Sequence, residues 1–256
     1  MMPKLSAFVI TKNESAKIAA CLASLAWVDD LVVVDDYSDD GTAEVAAACG
    51  ARVVLHRFTG FKEQKRFAME QARYDWVLEL DADERVSPEM QQAVQSLTDE
   101  DYVACGGFAF RRLTRFWGKW IRHSSLYPDY KVRLYNRTRG RWSDGGVHER
   151  FIPDGAVRRV SNDIIHEQDL SLQQYLLRTA RYAALSADDY AAAGRRWHWF
   201  DFLRPLHTFV YRFVIRRGFQ DGMHGLLIAV IGAIGTFMKY ACLLEKTRWP
   251  QKKGTR

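Results

Sequence analysis

Four short apolar runs constrain this chain more than any other feature. LSAFVI (5–10), LVVVDD (31–36), ARVVLH (51–56) and DWVLEL (75–80) are separated by stretches that carry helix signals. Ser15 precedes an apolar spacing through Ile18, Leu22 and Leu25. Asp40, Gly41 and Thr42 open a second helix closed by Gly50, and FKEQKRFAMEQA (61–72) reads as a third. Ser87 and Pro88 supply a cap and first-turn proline for a fourth, through Leu97. The run at 31–36 is β-branched and continuous, as suits a strand buried on both faces. Strands alternating with helices at this spacing predict an α/β fold with a parallel sheet and right-handed crossovers. Ligands of such a sheet bind beyond the carboxyl ends of its strands. That rule gathers TKNE (11–14), DDYSDD (35–40) and DADE (81–84) on one rim.

The third cluster poses an electrostatic problem. Glu79, Asp81, Asp83 and Glu84 fall within six positions, and carboxylates this close raise one another's pKa unless a positive charge lies among them. Asp81 and Asp83 flank one small residue directly after a strand, so both can approach one point. Hard oxygen ligands of this kind suit Mg²⁺ or Mn²⁺, which also bind substrate phosphates. A divalent ion is therefore the expected counter-charge. Glu79 and Glu84 are expected to pair with nearby cations, Glu79 with a side chain of the arginine-rich segment and Glu84 with Arg85 or another arginine.

AFVITKNES, LVVVDDYSDDGT and WVLELDADERV, in this order, resemble the family-2 glycosyltransferases with the GT-A fold, over residues 5 to about 168. The resemblance implies a Rossmann-like, mostly parallel central sheet with flanking helices. It also implies a nucleotide-sugar donor, with Thr11, Asn13 and Glu14 lining base and ribose and Asp35 meeting the uracil edge. Asp81 and Asp83 would hold the metal on the diphosphate, Asp83 as the direct ligand and, through the leaving group, a catalytic residue. Lys65, on the helix before the DxD strand, is assigned a donor contact. Many relatives read DSGSTDGT where this chain has DDYSDDGT, so Asp36 and Tyr37 replace small residues.

DGGVHERF (144–151) carries the acceptor side. Glu149 follows a glycine pair that permits close backbone approach, in a stretch crowded with arginines. Such a carboxylate is either an ion-pair partner or a functional group. VHE here resembles bacterial lipopolysaccharide core glucosyltransferases of the family, which implies Glu149 as the general base of an inverting transfer. His166, in DIIHEQDL, is a candidate for the metal or diphosphate from the far side, and His148 is an alternative pocket residue. Trp142 and Trp117 offer flat surfaces to a sugar ring. Arg111, Arg112, Arg133 and Arg150 are candidates for phosphates on an anionic acceptor. The predicted reaction moves glucose from UDP-glucose to a lipid-linked saccharide, the lipopolysaccharide inner core. A polyprenyl-phosphate sugar transferase is the alternative, and it needs no base. A nucleic-acid partner is excluded, because the acidic rim repels phosphates.

The net charge of +6 is uneven: residues 195–256 hold 12 Lys/Arg and 3 Asp/Glu, for +9, leaving −3 for the first 194. A basic tail suggests an anionic membrane surface. The expected division is a catalytic domain at 1–168 and a helical, membrane-associating region at 169–256. Residues 171–194 read as an amphipathic helix, 203–219 mix aromatics with arginines, and 225–244 are strongly apolar. The uninterrupted apolar part, 226–238, is shorter than the ~20 residues that span a bilayer, so helices lying in the headgroup layer are expected. Four scattered cysteines, and an N-terminus without a signal-peptide core, place the expected protein at the cytoplasmic face of the inner membrane, peripheral or monotopic.

Overall fold

The computed structural model describes residues 3–143, 150–168 and 170–249. The N-terminal half alternates as expected: β1 Leu5–Thr11, α1 Ser15–Ala23, β2 Asp30–Asp35, α2 Thr42–Ala48, β3 Arg52–Leu55, α3 Phe61–Glu70 and β4 Trp76–Asp81. A short β5 (Glu84–Val86), α4 (Pro88–Gln95) and α5 (Asp99–Ala104) follow. Then come β6 Cys105–Phe116, β7 Lys119–Trp120, β8 Tyr130–Asn136, β9 Gly140–Trp142, β10 Phe151–Pro153 and β11 Ala156–Gln168. The chain ends in α6 Leu172–Ala192, α7 Arg204–Val210 and α8 Met223–Arg248.

Among the described residues the main sheet has nine strands, ordered β3-β2-β1-β4-β8-β6-β11-β5, with β7 on β6. β3, β2, β1 and β4 pair in parallel, while β8 joins β4 and β6 antiparallel. Both faces of the parallel half are covered. Alternation along each strand sends Ala7, Val9, Val33, Leu78 and Leu80 into one core with Ile18, Leu22 and Met90. Phe8, Val32, Val34 and Val77 point the other way, against Ala68, Met69 and Tyr135 of the second core. Ser87 caps α4 as its sequence promised, accepting from the Met90 amide.

The described chain divides into two compact units. One is the sheet unit, residues up to 115, 128–143 and 150–167. The other contains 116–127, 168 and 170–249, so the segment after β6 clusters with the helices rather than the sheet. Within the helical unit, α8 packs along α6 and α7. Phe116, Ile121, Ile228 and Ile231 form one of its cores and Ala187, Tyr240 and Leu243 another. α8 corrects one expectation: it continues past Lys239 to 26 residues, long and apolar enough by length and composition to cross a membrane. A single lysine does not interrupt the backbone hydrogen bonding of a helix, so counting only the uninterrupted apolar letters underestimates it.

Candidate active site

Period-2 alternation on β4 puts Glu79 and Asp81 on one side of the strand. The antiparallel register of β8, with Leu134 opposite Leu78, brings Arg133 to the same place. The Arg133 guanidinium donates to Glu79 Oε1 at 2.8 Å, to Asp81 Oδ2 at 2.8 Å and to Glu84 Oε2 at 2.6 Å. Lys65 Nζ, from α3, lies 2.8 Å from Glu79 Oε1 and 3.1 Å from Asp81 Oδ1. Tyr135 Oη donates to Glu79 Oε2 at 2.8 Å, and Glu84 Oε2 also accepts from the Asp81 amide. Arg133, Glu79 and Glu84 are buried.

Burial alone would raise the Asp81 carboxyl; the charges of Lys65 and Arg133 reverse that and hold it far below the usual carboxylate range. Burial likewise pulls the Lys65 ammonium down, and Asp81 and Glu79 more than restore it, leaving its pKa above the ordinary lysine value. The counter-charge among the acids is thus provided by the protein, from Lys65 and Arg133, with Arg112 Nη1 3.8 Å from Glu84 Oε1. Three expectations change. Arg133, expected at the acceptor, has its buried guanidinium paired with three carboxylates. Lys65 points into the same cluster instead of toward a donor. Asp81 has both oxygens engaged by cations, which removes it as a first choice of metal ligand. Glu84 pairs with Arg133, while Arg85 pairs with Glu167 at 2.9 Å.

Asp83 is held differently. The chain turns after β4 so that β5 lies antiparallel on β11, with Glu84 opposite His166. That register carries the His166 ring to Asp83, where Nε2 lies 3.2 Å from Oδ2; Nδ1 lies 3.2 Å from the Thr114 hydroxyl. Burial raises the Asp83 carboxyl, and the bond to His166 outweighs it, so the group sits below its ordinary value. Asp83 keeps partial exposure, unlike Glu84 beside it. A carboxylate and an imidazole side by side, the imidazole oriented by a hydroxyl behind it, are chemically suited to a divalent cation. Among the described residues no group of three or more metal-binding side chains is preassembled. Asp83 and His166 fit as two ligands of an ion whose remaining positions would be filled from elsewhere.

The first two rim loops are tied together. Asn13 adopts a left-handed backbone at φ 53°; its amide donates to Ser38 Oγ and its side chain accepts from the Asp39 amide. Lys12 Nζ donates to the carbonyl oxygens of Asp36 and Tyr37. Glu14 donates its amide to Thr42 Oγ1, and burial followed by nearby Asp83 and Asp40 raises its carboxyl. Thr11 is buried, with its hydroxyl unpartnered among the described residues. Asp35 is fully buried, and both its oxygens accept from Ser38. These bonds tie Asp35 to the loop that follows β2. Its neighbour Asp36 is half-buried and accepts from the Phe58 amide through Oδ1. Alternation along β2 turns Asp35 inward and leaves Asp36 more accessible at the rim.

On the acceptor side, Trp142 and Arg150 belong to the β9–β10 hairpin, where Ser143 and Arg150 exchange hydrogen bonds. Trp142 packs edge-on against Phe151, and Arg150 is exposed. His148 and Glu149 lie outside the described residues. Arg111 is paired with Asp163 and Arg112 with Asp129, so neither extends freely toward an acceptor. Trp117 is packing: it stacks on Phe116 and donates to the Leu170 carbonyl.

This mixed sheet, with two interlocked polar loops and a carboxylate–imidazole pair at its rim, has a GT-A-like fold. Its fold is shared with glucosyl-3-phosphoglycerate synthase from Mycobacterium tuberculosis, solved with Mn²⁺, uridine diphosphate and glucosyl-3-phosphoglycerate: TM-score 0.50, 18% identity, 75% of this chain and 80% of that one. The sequence profile of Glycosyl transferase family 2 matches residues 6–164, and the chain belongs to that family. It is 28% identical over 257 residues to the lipopolysaccharide core biosynthesis glycosyltransferase LpsC of Rhizobium meliloti, covering 96% of this chain and 94% of LpsC. An uncharacterized glycosyltransferase of Rickettsia typhi is also 28% identical, over 95% of this chain and 88% of its own length.

Proposed function

We propose that the protein transfers a glucosyl unit, with inversion, from UDP-glucose to a saccharide carried on a membrane lipid, the inner core of lipopolysaccharide. The pairing of Asp83 with His166 at the sheet rim carries this reading. Near full-length similarity to a lipopolysaccharide core glycosyltransferase supports the acceptor class. Residues 1–168 form the catalytic domain in this reading and 169–256 the membrane-associating region, at the cytoplasmic face of the inner membrane.

Thr11, Asn13 and Glu14 hold the base and ribose of the donor, with the Asp35–Asp36 strand end at the uracil edge. Asp83 and His166 would hold Mg²⁺ or Mn²⁺, which supplies neutralising charge for the departing diphosphate. Arg133 and Lys65 fix Asp81, and so position the Asp83 turn. Glu149 accepts the proton of the acceptor hydroxyl as that oxygen attacks the anomeric carbon from the face opposite the diphosphate. The bond to the diphosphate breaks and its electron pair leaves with it. Trp142, His148 and Arg150 are the residues assigned to the acceptor.

The test is transfer and donor binding in Glu149→Gln, with UDP-, GDP- and dTDP-sugars offered with and without Mn²⁺. Expected are Mn²⁺-dependent binding of UDP-glucose and loss of transfer by at least about a hundredfold. Normal turnover in the variant would remove Glu149 and favour a polyprenyl-phosphate acceptor, already ionised. Failure to bind any UDP-sugar would overturn the donor assignment.

A further inference from the structure

The helical unit displays what the sheet unit hides. Residues Trp199–Leu203 form a short 3₁₀ turn that runs into α7, and Tyr211–Ile215 continue it as a π-turn. Along this run Trp199 in the 3₁₀ turn, and then Leu203, Leu206, Val210 and Val214 at three- or four-residue spacing, are all exposed. They are 72, 59, 63, 39 and 53% exposed. Nothing among the described residues covers them.

Beside the stripe is an unbalanced knot of cations. The Arg195 guanidinium lies over the rings of Tyr190 and Tyr240, at 4.8 and 5.1 Å. Lys239 Nζ lies over the same two rings at 4.7 and 4.8 Å, and Arg204 over Tyr240 at 5.3 Å. One carboxylate, Asp201, is paired into this group among the described residues, accepting from Arg195 and Arg204. Burial raises the Tyr190 hydroxyl, yet Lys239 and Arg195 bring it below the ordinary tyrosine value, as a net positive field requires. Arg216 and Arg217 add exposed charge at the far end of the stripe.

α8 offers the competing way to hold a membrane. At about 1.5 Å per residue its 26 residues exceed the ~30 Å hydrocarbon core. Its middle is nevertheless occupied by polar groups. A Cβ on Gly232 would stand 2.8 Å from Arg212 Nη1, so the guanidinium rests against the helix there; at Gly235 the neighbour is Thr179. Thr208 and Thr236 share a hydrogen bond, and α6, which packs along α8, carries Arg178, Arg181, Asp188 and Asp189. A spanning α8 would draw these charges to the bilayer midplane, where each costs several kcal/mol.

We propose that the helical unit docks in the plane of an anionic lipid bilayer, with the 199–214 stripe in the acyl boundary and Arg195, Arg204 and Lys239 on the headgroup phosphates, and that α8, packed along α6 and α7, does not cross. An apolar face bordered by cations suits an anionic surface better than a neutral one. This mode rests on the membrane-bound acceptor proposed above and says which face meets the membrane.

The test uses the full chain with vesicles of phosphatidylcholine, with and without phosphatidylglycerol, and UDP-glucose binding on the same samples. Binding should favour the anionic vesicles by about tenfold or more and weaken with salt. Leu203→Glu with Leu206→Glu should abolish it while UDP-glucose binding stays normal. Arg204→Gln and Lys239→Gln should each cost about fivefold. From cell membranes the protein should be released by alkaline carbonate. Undiminished vesicle binding in the double-glutamate variant overturns the proposal. So does retention after carbonate, which would make α8 a span, or a stable dimer that buries the stripe. If UDP-glucose fails to bind in every form, the donor reading falls while the vesicle result still decides this one.

Discussion

The sheet unit and the helical unit treat the same residue types in opposite ways. In the sheet unit, charges go inside: Arg133, Glu79 and Glu84 are buried, and Lys65 closes the cluster at 2.8 Å from Glu79. In the helical unit, apolar side chains stay outside, Trp199, Leu206 and Met223 among them. Buried charges persist because each has a partner of opposite sign and a hydrogen bond. Exposed apolar surface of this extent is tolerated where a membrane or another protein takes it up. The sheet unit has built its counter-ions into the chain, and the helical unit, which pairs Arg195 and Arg204 with one carboxylate, leaves an excess of cations and its apolar stripe to an external phase.

The largest test of that contrast is Arg133→Leu. Removing the shared cation strands three carboxylates in the interior and should lower stability by about 3–5 kcal/mol, read as a large fall in the thermal midpoint. A soluble, normally stable variant with only weakened acceptor binding would instead return Arg133 to the acceptor role. Asp83→Asn should leave the fold intact and reduce transfer by about a hundredfold to a thousandfold. Chelation of divalent ions should do the same to the unaltered protein, reversibly on adding Mn²⁺. If Asp81→Asn proves equally inactive while stable, the separation of Asp81 from the metal is wrong.

The pH dependence follows with a smaller amplitude. Asp81 and Asp83 have folded-state pKa values below the ordinary value near 3.9. Their contribution is present above about pH 4 and is lost as pH falls through the depressed folded values. Lys65 is raised, so its contribution is present below its unfolded value, about 10.4, and is lost as pH rises through the folded one. Denaturant midpoints should therefore be flat between about pH 5 and 10 as far as this cluster contributes, falling outside that range. The smallest effect belongs to the helical unit: Leu206→Glu should shift stability in solution by no more than about 0.5 kcal/mol, since the site is already wet.

Much of this was legible in the letters. Continuous apolar runs in alternation with helices fixed the parallel half of the sheet, because only strands covered on both faces tolerate such runs. The carboxyl-end rule then grouped Asn13, Asp36 and Asp83 on one rim before any coordinate was known. Arg133 was harder to read. In YKVRLYNR it shares a face with Tyr135, and that alternation hints at an inward arginine. Its partner Glu79 is nevertheless 54 residues away, and only the β4–β8 register joins them.

The sequence by itself determined which residue types lie at the ends of which strands, since side-chain alternation and strand order depend on local pattern. Tertiary structure decided which carboxylates are already neutralised and which remain available. Coulomb energy depends on distances between segments far apart in the chain, and those distances are set by sheet register: β8 brings Arg133 to Asp81, and β11 brings His166 to Asp83.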